Sequence, residues 1–230
     1  YRLGLPGIPA CSEEISIARD LQLARLAGGR IHIQHVSTAR GLDIIRRAKA
    51  DGVGVTCEVS PHHLLLNEDD IEDYDTNFKM NPPLRTTEDN VALLEGLLDG
   101  SIDVIATDHA PHTEFEKNLD FASAPFGIIG LETALPSLFS RLVQTGKLPW
   151  DILVRTFSRE PRRILGLEVP DFHAGRQADF ILFDPEASTH FSAETMESKS
   201  RNTPFLGQTL QGAVVQVVLG TELLLGRKQP

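Results

Sequence analysis

Cysteine is scarce in this chain of 230 residues: Cys11 and Cys57 are the only two, too few for the disulfide framework on which small secreted folds depend. Long apolar runs are missing as well, and no stretch approaches the ~20 residues that a membrane helix requires. Basic residues are outnumbered, 22 Lys and Arg against 32 Asp and Glu, for a formal net charge of −10. That balance argues against nucleic acid as the main ligand, because phosphate binding needs clustered Lys and Arg. Neither nucleic acid nor a membrane is therefore expected as a partner. The opening YRLGLPGIPA lacks the basic-then-apolar order of a signal segment, and the expectation is a soluble, cytoplasmic protein. No Gly-x-Ser-x-Gly elbow is present, which weakens a serine-hydrolase reading, and FGIIG at 126–130 lacks a phosphate-loop pattern. Internal repeats and low-complexity segments are also absent.

What is present is a core-forming fraction of 41% apolar residues and an alternation of helical and extended signals. Ser12 is placed as an N-cap with Glu13 and Glu14 in the first turn; Ile17, Leu21, Ala24 and Gly28 then mark one helical face. The run RIHIQHVS reads as a strand, followed by a helix with Leu42, Ile45 and Ala48. VGVTCEVS is a second strand; residues 62–85 read mostly as loop; a helix from Thr86 or Thr87 carries Val91, Leu94 and Leu97; and IDVIAT is a third strand. Further helices are expected over Leu131–Val143 and Trp150–Phe157. Strands separated by single helices imply right-handed crossovers and a parallel sheet. From about Val169 short extended runs follow one another without helices, so residues 1–168 form a βα part and 169–230 a small β module. Only three strand–helix units are found, against a closed (β/α)8 barrel of ~250 residues.

The polar residues of interest sit at or just past strand ends: His35; then Glu58, His62 and His63; then Asp108, His109 and His112. In a parallel α/β fold these ends share one rim, where sites are built from successive loops. Imidazole and carboxylate are the usual ligands of a catalytic zinc. His32 and His35 are three residues apart, so on a regular strand they face opposite ways. His35, nearer the rim, is the candidate, and His32 is read as structural. His35 with Asp108 could hold a metal; the alternative is a buried His and Asp satisfied by backbone hydrogen bonds. His62 and His63 are read as structural, and Cys57, inside a strand, as a small core residue.

Five segments carry a resemblance: HIQHVST (32–38), CEVSPHHLLL (57–66), FKMNPPLR (78–85), TDHAPH (107–112) and APFGIIGLETALP (124–136). In order and spacing they are similar to the bacterial-type dihydroorotases of the amidohydrolase superfamily, and GRQADFILFD (175–184) and SKSRNTPFLG (198–207) resemble its C-terminal β region. The resemblance implies an α/β fold, the C-terminal part of a (β/α)8 TIM barrel with a small C-terminal β-sandwich portion, the three strands standing for the sixth to eighth of that barrel. It implies two zinc ions per complete site, with His35 and Asp108 as ligands. Asp108 would also be catalytic, shuttling the proton, while Asn81, His112, Phe126 and Gly127 would hold the substrate. The implied reaction is the reversible hydrolysis of dihydroorotate to N-carbamoyl-L-aspartate in pyrimidine biosynthesis. A second copy of the chain or an aspartate transcarbamoylase would be the protein partner. The family's first-strand His-x-His and Arg, its fourth-strand bridging ligand and its fifth-strand histidine have no counterpart here, so activity of these 230 residues alone is not expected. The competing readings are a non-catalytic structural partner of a transcarbamoylase and another cyclic-amide hydrolase, an allantoinase or hydantoinase.

Overall fold

The structure is a computed structural model that describes residues 3–220 and 222–225. Helix α1 spans Ala10–Ala27 and buries Ile17, Leu21 and Ala24. It begins two residues before the expected cap: Pro9 occupies that position, and the Ser12 hydroxyl donates to the Pro9 carbonyl at 2.9 Å. Gly28, in the left-handed region at φ 62°, ends the helix at little steric cost. Strand β1 (Arg30–Ile33) leads to α2 (Ala39–Ala50), capped by the Thr38 side chain, and then to β2 (Gly54–Val59). Within the segment read as loop, one helical turn, α3 (Pro61–Leu65), and two 3-10 turns (Glu68–Asp70 and Thr76–Phe78) form. A Thr86–Asp89 capping box starts α4 (Thr87–Leu98), and β3 is reduced to Val104–Ile105.

These three strands pair in the order β1-β2-β3, parallel throughout, as the crossover pattern requires. The helices lie against the sheet through side chains with no exposure at all, among them Leu42, Ile45, Leu93 and Leu97. Truncating any one of them to Ala would cost ~2–5 kcal/mol. Gly96 lets α4 approach α2, since a Cβ there would stand 2.6 Å from Leu42 Cδ2.

Past the rim, α5 covers Glu114–Lys117 and α6 covers Ala134–Leu138, which runs on into a π-turn at Phe139–Val143. Helix α7 (Trp150–Val154) passes through a second π-turn into α8 (Glu160–Ile164), so this helical stretch runs past the expected end at Phe157. Among the described residues the last part of the chain is one antiparallel sheet in the order β4-β5-β6: β4 (Asp179–His190), β5 (Thr209–Leu219) and β6 (Glu222–Leu225). It packs on the helices through Phe183, whose ring lies 4.9 Å from that of Phe139 and 5.4 Å from that of Trp150. The β4–β5 connection sends Phe191, Met196 and Phe205 into a second core with Met80, Leu84, Ile128 and Ile129. That core lies beneath the segments that carry the candidate site.

Candidate active site

The chain leaves β1 at Ile33, before it reaches His35. His35 takes a left-handed backbone, φ 52°, and Asp108, past the end of β3, does the same at φ 47°. A non-glycine residue in that region costs free energy, and such residues cluster at functional sites. The two side chains meet on the rim, His35 Nε2 lying 3.6 Å from Asp108 Oδ1.

The expectation that His32 faces away from His35 is corrected here. Strand parity applies only while the strand is regular, and the turn at His35 swings its ring back toward the side occupied by His32. Both imidazoles converge on Glu58 of β2: His32 Nε2 is hydrogen-bonded to Oε2 at 3.0 Å, and His35 Nδ1 stands 3.0 Å from Oε1. The His35 contact is bent away from ideal hydrogen-bond geometry. His32 is held from behind by Thr56, whose hydroxyl is 2.8 Å from Nδ1. Glu58 is 6% exposed. Burial opposes its ionisation, yet the two imidazoles outweigh that effect and hold its carboxyl down at about 2. The Glu58 contact, and further off the Asp108 charge, in turn raise the pKa of His35 against the pull of burial.

His62 and His63 do not enter the site. Both are fully buried on α3; His63 lies 2.8 Å from the Ser60 hydroxyl through Nδ1 and 2.9 Å from the Pro82 carbonyl through Nε2. Burial pushes His62 down to about 3 and His63 to about 4, so both are neutral. His109 is also structural: its Nδ1 accepts the Gly130 amide at 3.1 Å. Cys57 is fully buried, which pushes its thiol up to about 12 and removes it as a nucleophile.

The candidate substrate residues come together through the backbone. His112 Nε2 lies 2.8 Å from the Phe126 carbonyl, and the Gly127 amide donates to the Lys79 carbonyl at 2.9 Å, two residues before the exposed Asn81. Gly127 must be glycine: its φ is 145°, and a Cβ would stand 2.7 Å from both Ala110 Cβ and His112 Nε2. Three residues not singled out in the sequence hold this assembly. Asn202 donates to the carbonyls of Ala110 (2.9 Å) and Gly127 (3.0 Å) and accepts the His112 amide (3.2 Å). The buried Lys117 ammonium donates to the carbonyls of Pro125 and Gly127, both at 3.1 Å. Lys79 Nζ donates to those of Ala122 (2.9 Å) and Ala124 (2.5 Å).

The donor set at the rim, one imidazole and one carboxylate, suits zinc. Their 3.6 Å separation is close to the edge of a coordination polyhedron with bonds of ~2.0–2.2 Å. Among the described residues no group of three or more His, Cys, Asp or Glu side chains is arranged to hold a metal. The two residues thus fit as part of a metal site.

The family model described as "Amidohydrolase family" matches residues 16–224. This chain belongs to the amidohydrolase family. Within it, the chain is 48% identical over 217 residues to a dihydroorotase of Carboxydothermus hydrogenoformans, covering 94% of this chain and 50% of that protein. The chain spans about half the length of the curated relatives it matches. Among solved amidohydrolase structures, an L-hydantoinase (dihydropyrimidinase) from Arthrobacter aurescens superposes with a TM-score of 0.87 at 31% identity, over 96% of this chain and 50% of that one. The inactive dihydroorotase-like domain of a Chaetomium thermophilum CAD-like multifunctional protein superposes with a TM-score of 0.66 at 26% identity, over 90% and 54% of the two chains. No helix among the described residues is long and apolar enough to cross a membrane.

Proposed function

We propose that this chain is the C-terminal part of a zinc-dependent dihydroorotase, which opens dihydroorotate to N-carbamoyl-L-aspartate and closes it again in pyrimidine biosynthesis. The observation that carries the reading is the approach of His35 to Asp108 at 3.6 Å on the rim of a parallel sheet, in a chain 48% identical to a dihydroorotase. On this reading residues 1–168 are part of a (β/α)8 barrel, with β1, β2 and β3 as its sixth to eighth strands, and residues 169–230 contribute to a β-sandwich. Zinc, when bound, lowers the pKa of water to near ~7 and polarises the amide carbonyl. His35 and Asp108 would supply two of the ligands of a two-zinc site.

Asp108 accepts a proton from the attacking water and returns it to the ring nitrogen as the amide C–N bond breaks. In the reverse direction it takes that proton back as the ring closes and water leaves. Asn81, His112 and the Phe126–Gly127 segment bind and orient the ring and its carboxylate. The His112 ring already donates Nε2–H to the Phe126 carbonyl, so Nδ1, 3.9 Å from Glu116 Oε2, is left as an acceptor for an N–H of the substrate ring. With a net charge of −10 these 230 residues offer an anion no long-range attraction, so on this side of the site the anion is held locally.

The two free cysteines favour a reducing compartment, the cytoplasm. Homodimerisation or docking to an aspartate transcarbamoylase is proposed from the family resemblance; the Chaetomium domain's multifunctional setting bears on the second. The non-catalytic reading is the weaker one, because the likeness to that inactive domain is 26% in sequence. The test is to join this chain to the upstream half of the Carboxydothermus dihydroorotase and assay ring opening in zinc. The expected result is turnover of dihydroorotate with kcat/KM at least ~100-fold above that for hydantoin or dihydrouracil. A preference for a neutral ring would favour the hydantoinase reading, and no turnover of any ring the structural-partner reading.

A further inference from the structure

Glu58, a strand-end residue so far given no ligand or catalytic part, is a buried carboxylate whose two oxygens lie against the imidazoles of His32 and His35. Its two oxygens have different requirements. Oε2 faces His32 Nε2 at 3.0 Å, and His32 Nδ1 faces the Thr56 hydroxyl at 2.8 Å. A hydroxyl can donate to Nδ1, which leaves the proton of a neutral His32 on Nε2, where it meets the carboxylate. The opposite tautomer would set a nitrogen lone pair against a buried anion, at a cost set by the low local dielectric. Oε1 is then left facing His35 Nδ1 at 3.0 Å, off the line of an ideal hydrogen bond and with no other partner for either atom among the described residues. For an ionised carboxylate 6% exposed, a proton on that nitrogen is the arrangement of lower energy.

We propose that Glu58 is a positioning residue: it holds the neutral His35 ring as the Nδ1–H tautomer and so turns the Nε2 lone pair toward Asp108, ready for a divalent cation. The proposal rests on His35 and Asp108 being ligands only in its last clause. Nε2 and Asp108 Oδ1 are 3.6 Å apart, too far for a hydrogen bond, and two lone pairs facing each other across that gap favour a cation between them. A carboxylate behind a ligating imidazole also raises its basicity, and loss of such a partner commonly weakens metal binding 10–100-fold. Thr56, His32, Glu58 and His35 thus form one ordered chain ending at the rim.

The experiment uses the 230-residue chain labelled with 15N-histidine, at a pH where His35 is neutral, with imidazole nitrogens assigned by His32→Gln and His35→Gln spectra. The proposal expects the protonated-nitrogen shift at His35 Nδ1 and the bare-nitrogen shift at Nε2. A proton on Nε2 of the parent protein overturns it. In Glu58→Gln the expected result is a mixture of both tautomers, and an unchanged spectrum shows that Glu58 is not the cause. Should Glu58→Gln fail to fold, Glu58→Asp, which keeps the charge but retracts it, is expected to shift the mixture in the same direction; no shift in it counts against Glu58. Zinc chloride is then titrated in. Movement of His35 Nε2 at a concentration 10–100-fold lower in the parent than in the Glu58 variant supports the positioning role, and equal midpoints overturn it. If zinc leaves Nε2 unmoved in the parent, the ligand assignment of His35 fails, while the tautomer readout still decides the role of Glu58.

Discussion

Asp108 and His35 approach to 3.6 Å although β1 and β3 are not neighbours in the sheet; β2 lies between them. They meet because both segments turn into the left-handed region, at φ 47° and 52°, just after their strands end. The same turns that bring the two side chains together also cost backbone energy, and the one at His35 is anchored by the Val36 amide, which donates to the Glu58 carbonyl at 3.0 Å.

Asp108→Asn tests the proposed proton shuttle. Asparagine tolerates the left-handed backbone that Asp108 occupies, so the fold should survive. The amide cannot accept a proton, and loss of a general acid–base group costs ~100–10,000-fold. In an enzyme carrying the upstream half, kcat for dihydroorotate is expected to fall by at least ~100-fold with circular dichroism unchanged. Turnover within tenfold of the parent would remove Asp108 from the chemistry.

The strand ends and their polar residues were legible because βα periodicity places them; that placement made His35 and Asp108 candidates, and the family resemblance singled them out as a pair. The joint role of His32 was not, since it depends on β1 stopping at Ile33 rather than running on to His35. Lys79, Lys117 and Asn202 left no signal either. Their partners are backbone carbonyls, such as that of Ala110 for Asn202, which any residue would supply and no sequence pattern marks. Ser12 misled for a related reason: its hydroxyl meets the Pro9 carbonyl instead of capping amides, while Glu13 leaves its own helix to accept the Ser37 amide at 2.9 Å.

Asn202→Ala should loosen the rim without touching the proton shuttle. The substitution strands the Ala110 carbonyl and the His112 amide, while the Gly127 carbonyl keeps only Lys117. Leaving a buried polar group unsatisfied costs ~1–3 kcal/mol, though water can recover part of it. A fall of roughly 2–4 kcal/mol in urea unfolding is expected, with faster limited proteolysis between residues 110 and 127. Equal stability and equal cleavage would show that Asn202 does not hold these loops.

The buried histidines set an acid limit on stability. With folded-state values of about 3 for His62 and about 4 for His63, against an ordinary 6.5, the unfolded chain takes up protons that the folded chain refuses. Stability is therefore full above pH 6.5 and is lost progressively as the pH falls from 6.5 to about 4 for His63 and to about 3 for His62, each imidazole removing up to ~1.4 kcal/mol per pH unit. His35, whose pKa is raised, acts in the opposite sense: its contribution is present at low pH and lost as the pH rises. Urea midpoints at pH 7, 6 and 5 should descend, and His62→Leu, which removes one of the two protons, should flatten the slope. A midpoint independent of pH over that range would contradict the neutral, buried assignment.

Zinc binding to the chain by itself is expected to be weak. A catalytic zinc normally keeps three protein ligands and an open position, and here two side chains converge while the described residues offer no group of three. His62 and His63 cannot be recruited without leaving the core, and His109 would have to release the Gly130 amide. An ion held by two side chains stays largely hydrated, so it gains little over zinc in water. After dialysis against zinc, metal analysis should return well under one tightly held ion per chain, and dihydroorotate should not be hydrolysed at neutral pH. One or more retained ions with measurable ring opening would mean that a complete site exists within these residues, and the division of the site between this segment and an upstream half would be wrong.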